Sequence, residues 1–457
     1  MTEKQTPQIL GTAPISRLLI QYSVPAIIAM TITSLYNIID SIFIGHWVGA
    51  LAIAGLAVTF PLMNLVMAFC TLVGVGGATI SSIFLGQRDT IRATETLHNV
   101  LWMCLINAAC FGGLTFIFLD EILLFFGASN ETLPYARSFM QVILLGTPIS
   151  YMFIGLNNVM RATGYPTKAM LSSIITVVAN VMIAPVFIFV LKWGIRGAAL
   201  ATLVSQTIGL IWVMSHFVNK KNFVHFDKKY LKLKAAIIGR IFSIGMSPFL
   251  MNVCSCVVVI IINRSFIQYG GDMAVGAYGI VNRVLMLFAM TVMGITQGMQ
   301  PIIGYNYGAK QPARVRRTMT YGITAGVIVT STGFILAQLL PESVVKLFTT
   351  DQHLIQLSVN GLRISCAMFC LVGAQIVISN FFQSIGKAPV SIFLSLSRQL
   401  LFLVPMLLIL PPQYGINGVW ASMPIADAVA FVVAVASLYL YFRKQNKTQN
   451  AQSKEII

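Results

Sequence analysis

"ISRLLIQYSVPAIIAM", residues 15–30, returns in altered form as "IGRIFSIGMSPFLMNV" at 238–253. Ile15 falls on Ile238, Arg17 on Arg240 and Pro25 on Pro248. After a one-residue gap, residues 52–86 lie on 274–308 at a constant offset of 222, which carries Ala52, Gly76 and Gly86 onto Ala274, Gly298 and Gly308. Gly164 falls on Gly386, and "WGIRGAA" (193–199) matches "YGINGVW" (414–420). The chain is therefore one unit written twice, and the solvent each half must face decides what kind of unit it is.

That solvent is lipid. Of 457 residues, 57% are hydrophobic and only 9% are charged, with a mean hydropathy of +0.83. A soluble protein has roughly a quarter of its residues charged. A bilayer span needs about 20 apolar residues, and on that ruler twelve appear. The first half carries 16–44, 51–84, 91–118, 134–157, 168–191 and 195–218; the second carries 236–267, 273–303, 316–340, 354–382, 388–410 and 416–442. The fold class is all-α and integral to the membrane. Residues 1–218 form an N-terminal six-helix lobe, 219–235 a basic linker, 236–442 a C-terminal six-helix lobe and 443–457 a polar tail. Six is even, so the repeats run parallel, related by a pseudo-two-fold along the membrane normal.

The net charge of +17 reflects topology rather than nucleic-acid binding. The bases do not form one patch; they collect in loops on the side that holds both termini, while Arg137, Lys192, Arg196 and Lys346 stand opposite. The positive-inside rule then puts both termini in the cytoplasm. The expected setting is the plasma (inner) membrane, crossed many times. The linker "NKKNFVHFDKKYLKLK" (219–234) reads equally as an amphipathic helix on the anionic leaflet or as a solvated connection. All seven cysteines lie in apolar runs without zinc-site or disulfide spacing, and the five histidines are scattered. No catalytic His/Asp/Glu constellation is visible, so an enzyme is not expected, nor a cofactor. Two parallel six-span halves suit a transporter that rocks one half against the other.

Asp40, in "LYNIIDSIFIG" (35–45), is the residue that this setting makes conspicuous. A carboxylate in a span costs about 2.5–3.5 kcal/mol on insertion scales. Thr33, Tyr36, Asn37 and Asp40 are spaced to share one helix face, so the carboxyl has neighbours able to hydrogen-bond it. Burial favours its protonated form and hydrogen bonds favour the carboxylate, a balance suited to loading and releasing a proton. A plainer reading also stands: Asp40 is five residues before Gly45, roughly 7 Å of helix, near enough to meet interfacial water or cap a bend.

"GITQGMQPIIGYNYGAK" (294–310), "RATGYPTKA" (161–169), "WGIRGAALATLVSQ" (193–206) and "LSLSRQLLFLVPMLLILPPQYGINGVWASMPIAD" (394–427) resemble the multidrug and toxic compound extrusion (MATE) transporters, close to the bacterial multidrug export branch. The resemblance covers nearly the whole chain. It implies two six-helix lobes around a central cavity, and export of amphipathic, often cationic drugs in exchange for H⁺ or Na⁺. It implies cation coupling at Asp40 and matches Asn180 and Thr202 to polar positions of the family's fifth and sixth helices, where Asn and Thr also serve as interhelical glue. Tyr36 and Asn37 join the coupling set through the face they share with Asp40. The resemblance also matches Asn157 and Asn158 to polar positions of the fourth helix. The expected substrate cavity adds Gln297 and Gln300 from the second lobe and the adaptable apolar side chains Phe153, Met63 and Met286, each of which taken alone reads more simply as core or lipid-facing packing. In many members an aspartate follows the fifth-helix asparagine by four residues. Here "NVMIAP" (180–185) has Ala184. A two-carboxylate Na⁺ site is thereby disfavoured and H⁺ preferred, with Na⁺ at Asp40 the alternative. Small-molecule drugs and the bilayer are the expected partners, nucleic acid is not, and the chain is expected to act as a monomer. Arg398 and Asp427 are read as an ion pair between the last two helices. The competing function is a lipid-linked oligosaccharide flippase of the same superfamily, which calls for a more cationic cavity than Arg264, Arg283, Arg363 and Arg398 supply.

Overall fold

A computed structural model describes the backbone of residues 6–47 and 50–455, with side chains other than those of 6–7, 33–54, 57, 272 and 446–455. Every described element is helical, as lipid requires, because a helix satisfies its backbone hydrogen bonds within one segment. A short helix, Thr6–Thr12, precedes α1 (Ile15–Trp47) and α2 (Ala50–Gly86). Then come α3 (Thr90–Ile117), α4 (Leu133–Leu145 with Thr147–Ala162), α5 (Pro166–Val190) and α6 (Gly194–Val218). The second half runs α7 (Ala235–Gly271), α8 (Met273–Gly308), α9 (Pro312–Leu339), α10 (Gln352–Ser365 with Phe369–Ser384), α11 (Ala388–Tyr414) and α12 (Ile416–Glu455). Ten of these are unbroken helices long and apolar enough to cross a membrane; counting each bent pair as one span gives twelve among the described residues.

The repeat is visible in the irregularities. The bent spans α4 and α10 are mates, and they bend by 56° and 55°. Gly164 and Gly386 are mates, and both turn with positive φ, 109° and 75°, a conformation that glycine adopts without steric penalty. Gly271, at φ 69°, lets α7 turn into α8 with almost no loop.

The chain packs as two compact units. One contains Met1–Val253, Gln297–Thr318 and Ser384–Ala388; the other contains Cys254–Thr296, Met319–Gln383 and Pro389–Ile457. In the first, small residues bring α2 and α8 to backbone contact. A Cβ on Gly86 would strike the carbonyl of Tyr305, and one on its mate Gly308 would strike the carbonyl of Ile83. Ile83 and Tyr305 are themselves mates, and Gly304 meets its own mate, Ser82. A local pseudo-two-fold therefore passes between Ser82 and Gly304. Packing of small residues is what drives helix association in lipid, where burial of apolar surface supplies no force.

The linker does not form the amphipathic helix. It has a single 3₁₀ turn, Lys228–Tyr230, and is fastened to the first unit. Lys234 Nζ reaches buried Glu95 at 2.5 Å, and its backbone N–H donates to Asn99 Oδ1 at 2.9 Å. The N–H of Asp227 donates to His98 Nε2 at 3.3 Å. Asn222 is buried and donates to the carbonyl of His216 at 2.6 Å, while Tyr165 Oη donates to its Oδ1 at 3.3 Å. Glu95, His98 and Asn99 pin the linker at several points while Lys220, Lys221, Lys228, Lys229 and Lys232 stay exposed, so the connection is a solvated chain fastened to the unit and not a helix.

The second unit is centred on aromatic rings. Phe266 stacks on Tyr278 at 5.1 Å and meets Trp420 at 4.4 Å. Trp420 is buried and lies over Gly361, where any side chain would collide with the indole. In the same unit Arg398 Nε donates to Asp427 Oδ1 at 2.6 Å, forming the expected ion pair between α11 and α12. Arg398 stands in a π-helical stretch, Ser397–Leu403. All seven cysteines are free thiols.

Candidate functional site

The polar residues of the first unit fall into three groups. Asn180, on α5, is buried and donates through Nδ2 to Thr202 Oγ1 of α6 at 3.3 Å. Thr202 Oγ1 donates in turn to the carbonyl of Ala198 at 3.2 Å. One turn beyond Asn180, Ala184 is fully buried, so the place expected to hold a second carboxylate in many MATE members is apolar here. The helix α1 packs against both α5 and α6. The side chains of Tyr36, Asn37 and Asp40 lie outside the described residues.

The second group centres on Arg161. Its guanidinium donates to Asn158 Oδ1, one turn back on α4, and to Gln297 Oε1 of α8. Gln297 Nε2 lies 3.7 Å from the sulfur of Met30 on α1. Gly74 of α2 admits the Asn158 amide, whose nitrogen would stand 2.9 Å from any Cβ there. The half-buried guanidinium thus joins α4 to α8, with α1 and α2 packed against its two partners, and among the described residues no carboxylate pairs with it. The hydropathy pattern ends the fourth span at 157 and leaves Arg161 outside; the helix continues to Ala162. The available signal was "NNVMRA", in which Asn158 and Arg161 are three apart and so share a face.

The other candidates go elsewhere. Asn157 donates to the carbonyl of Ala169 at 2.9 Å and to Ser172 Oγ at 2.6 Å, tying α4 to α5. Gln300 donates to Thr79 Oγ1 at 2.6 Å in the α2–α8 contact. Phe153 is buried, its ring against Gly209 of α6. Met63 is half-buried, and Met286, in the second unit, is exposed. The structure therefore joins Asn158 to Gln297 and Asn180 to Thr202, and leaves Asn157, Gln300 and Phe153 in separate packing roles.

Comparison with known proteins bears on what such a membrane bundle is. A single family model, MatE, matches residues 25–186 and again 244–409, once on each half of the repeat. This chain belongs to the MatE family. It is a transporter fold of two six-helix lobes, not an enzyme's. Over 425 residues it is 28% identical to the multidrug export protein MepA of Staphylococcus haemolyticus strain JCSC1435, covering 93% of each chain. It is 25% identical over 428 residues to MepA of Staphylococcus aureus strain N315, covering 94% of each. Among solved structures, a ligand complex of the MATE multidrug transporter DinF-BH superposes with a TM-score of 0.87 at 36% identity, over 94% of this chain and 96% of that one. An outward-facing MATE transporter of the MOP superfamily gives 0.90 at 23% identity, over 97% and 98%, and shows the same fold. The MatE membership accounts for the repeat, the twelve spans and the multi-pass membrane setting together.

Proposed function

We propose that this MatE protein is a secondary multidrug efflux antiporter. It exports amphipathic, often cationic organic compounds while a cation enters, by alternating access, as a monomer in the plasma (inner) membrane with both termini cytoplasmic. The observation that carries the reading is the full-length likeness to multidrug exporters in a chain whose first unit bonds buried Asn180 to half-buried Thr202 on the helices packed against α1, the helix of Asp40. The excess of Lys and Arg on the side of the termini supports the orientation.

The coupling ion is H⁺ on this reading. A lone carboxyl can bind one proton and become neutral, which suits a membrane interior. A desolvated Na⁺ calls for more oxygen ligands and compensating charge, and Ala184 removes the second carboxylate that would help supply them. The test is drug efflux from proteoliposomes under separately imposed pH and Na⁺ gradients, comparing the unmodified protein with Asp40→Asn. We expect a pH gradient alone to drive export, and Asp40→Asn to bind drug without transporting it. Normal transport by Asp40→Asn refutes the coupling role. Export driven only by Na⁺ refutes the proton assignment.

A further inference from the structure

Each unit has a cavity at a corresponding place in the repeat. That of the first unit, about 140 Å³, is lined by Phe116, Ile117, Leu119, Asp120, Arg137 and Gln141. The repeat offset of 222 carries Asp120 to Glu342 and Gln141 to Arg363. Both line the cavity of the second unit, about 250 Å³, together with Lys346, Gln352, Gln356 and Asn360. Burial keeps the same register, since Leu123 and its mate Val345, and Met140 and its mate Leu362, are all wholly buried. Each cavity lies between a short helix (Leu119–Phe125 or Pro341–Lys346) and the first half of a bent span.

The architecture is shared, but the charge is not. In the first unit, Asp120 is gripped by both prongs of Arg137, through Nε at 2.5 Å and through a terminal nitrogen. The cavity is neutral. In the second, the mate of Arg137 is Val359. Glu342 pairs instead with Lys346, one turn along its own helix, at 3.3 Å. Arg363 replaces a neutral glutamine, and among the described residues no carboxylate meets it. One cationic charge is left over. Gln352, Gln356 and Arg363 follow helical spacing along one face of α10, so amide donors extend the line from the guanidinium.

Two observations say what kind of anion fits. Gln338 Nε2 donates to the carbonyl of Arg363 at 2.8 Å, and Gln338 is the last residue but one of α9. Arg363 is therefore level with the end of a span, at the border of the lipid. Next to the cavity in sequence, Leu339, Leu340 and Leu347 are 73%, 52% and 82% exposed. A surplus guanidinium at the membrane border, fringed by exposed leucines, matches a molecule with an anionic head and an apolar tail.

We propose that the second-unit cavity binds the phosphate of an anionic phospholipid, with Arg363 as the main contact and Lys346 and Gln356 beside it. A guanidinium suits a phosphate because it can donate two parallel hydrogen bonds to it. The first-unit cavity, neutralised by its own ion pair, does not bind one. The test places the full chain in phosphatidylcholine nanodiscs, titrates phosphatidylglycerol and counts retained lipid by native mass spectrometry. Arg363→Gln installs the first repeat's residue and is expected to weaken phosphatidylglycerol binding about tenfold, with Arg363→Lys in between. Val359→Glu leaves Arg363 in place and supplies a carboxylate one turn away; it is expected to abolish the preference, and it keeps the proposal testable if Arg363→Gln folds poorly. Undiminished binding in Arg363→Gln or Val359→Glu overturns the proposal. So does equal displacement by millimolar inorganic phosphate, which would make this a site for free anions.

Discussion

Replacing Gly86 and Gly308 by valine, singly and together, probes the contact at which the two halves of the repeat meet. Each glycine faces a backbone carbonyl, Tyr305 and Ile83 respectively, and a backbone cannot swing aside as a flexible side chain can. A Cβ would stand 1.9 Å from the Tyr305 oxygen and 2.1 Å from the Ile83 oxygen, so the helices must part by roughly 1.5–2 Å to reach ordinary contact distances of ~3.5–4.0 Å. Overpacking of this kind costs about 1–3 kcal/mol, and two branched methyls against backbone belong at the upper end. Valine regains only a few tenths of a kcal/mol of helix propensity over glycine. Each single variant should lose about 2–3 kcal/mol. The two glycines lie on one helix crossing, so the parting that admits the first valine also makes room for the second. The double variant should therefore lose about 3 kcal/mol, well short of the sum, as is usual for residues that share a contact. Thermal unfolding of purified protein reads this as a fall of several degrees, on a scale of roughly 2–4 °C per kcal/mol for large domains. Gly113→Val is the control, because beyond its own helix backbone nothing lies within 4 Å of its Cβ position, and it should leave the midpoint unchanged. Additive losses in the double variant, or no loss in either single one, would refute a shared close crossing.

Asn99→Ala removes the acceptor for the Lys234 N–H and the donor to the carbonyl of Glu95. It should loosen the linker by about 1–3 kcal/mol, seen as faster tryptic cleavage after Lys228, Lys229 and Lys232; an unchanged rate would mean that the polar contacts do not hold it. Arg398→Met strands buried Asp427 and should cost about 3 kcal/mol, whereas Arg398→Met with Asp427→Leu should recover most of it, as found when buried ion pairs are replaced whole. Equal loss in the single and double variants would mean that the pair is not a self-contained unit.

The architecture was legible because lipid reduces the choices. Twelve apolar runs become twelve helical spans among the described residues, two of them bent pairs, since no other open segment satisfies its own backbone in a bilayer. The offset of 222 is enough to pair Gly86 with Gly308. The Arg398–Asp427 pair was equally readable, because an intramembrane charge needs an opposite one nearby. What sequence alone could not show was contact between residues far apart along the chain. The spacing of Asn157 and Asn158 does not reveal that one ties α4 to α5 while the other supports Arg161 toward Gln297. Helix periodicity ranks faces, but the neighbour that each face meets depends on how the helices cross. The linker shows the same limit, since its lysines imply solvent or lipid headgroups, and only packing brings Glu95, His98 and Asn99 beneath it. The two cavities also match in register while differing in charge. The acid at 120 and 342 is inherited from the repeat, and the replacement of Arg137 by Val359 and the i,i+4 spacing of Glu342 and Lys346 are written in the sequence. That Arg137 reaches Asp120 across the first cavity, and that Arg363 faces the second with no carboxylate partner among the described residues, only tertiary structure shows. Pattern and spacing are properties of one chain segment, and electrostatic balance is a property of the segments that folding brings together.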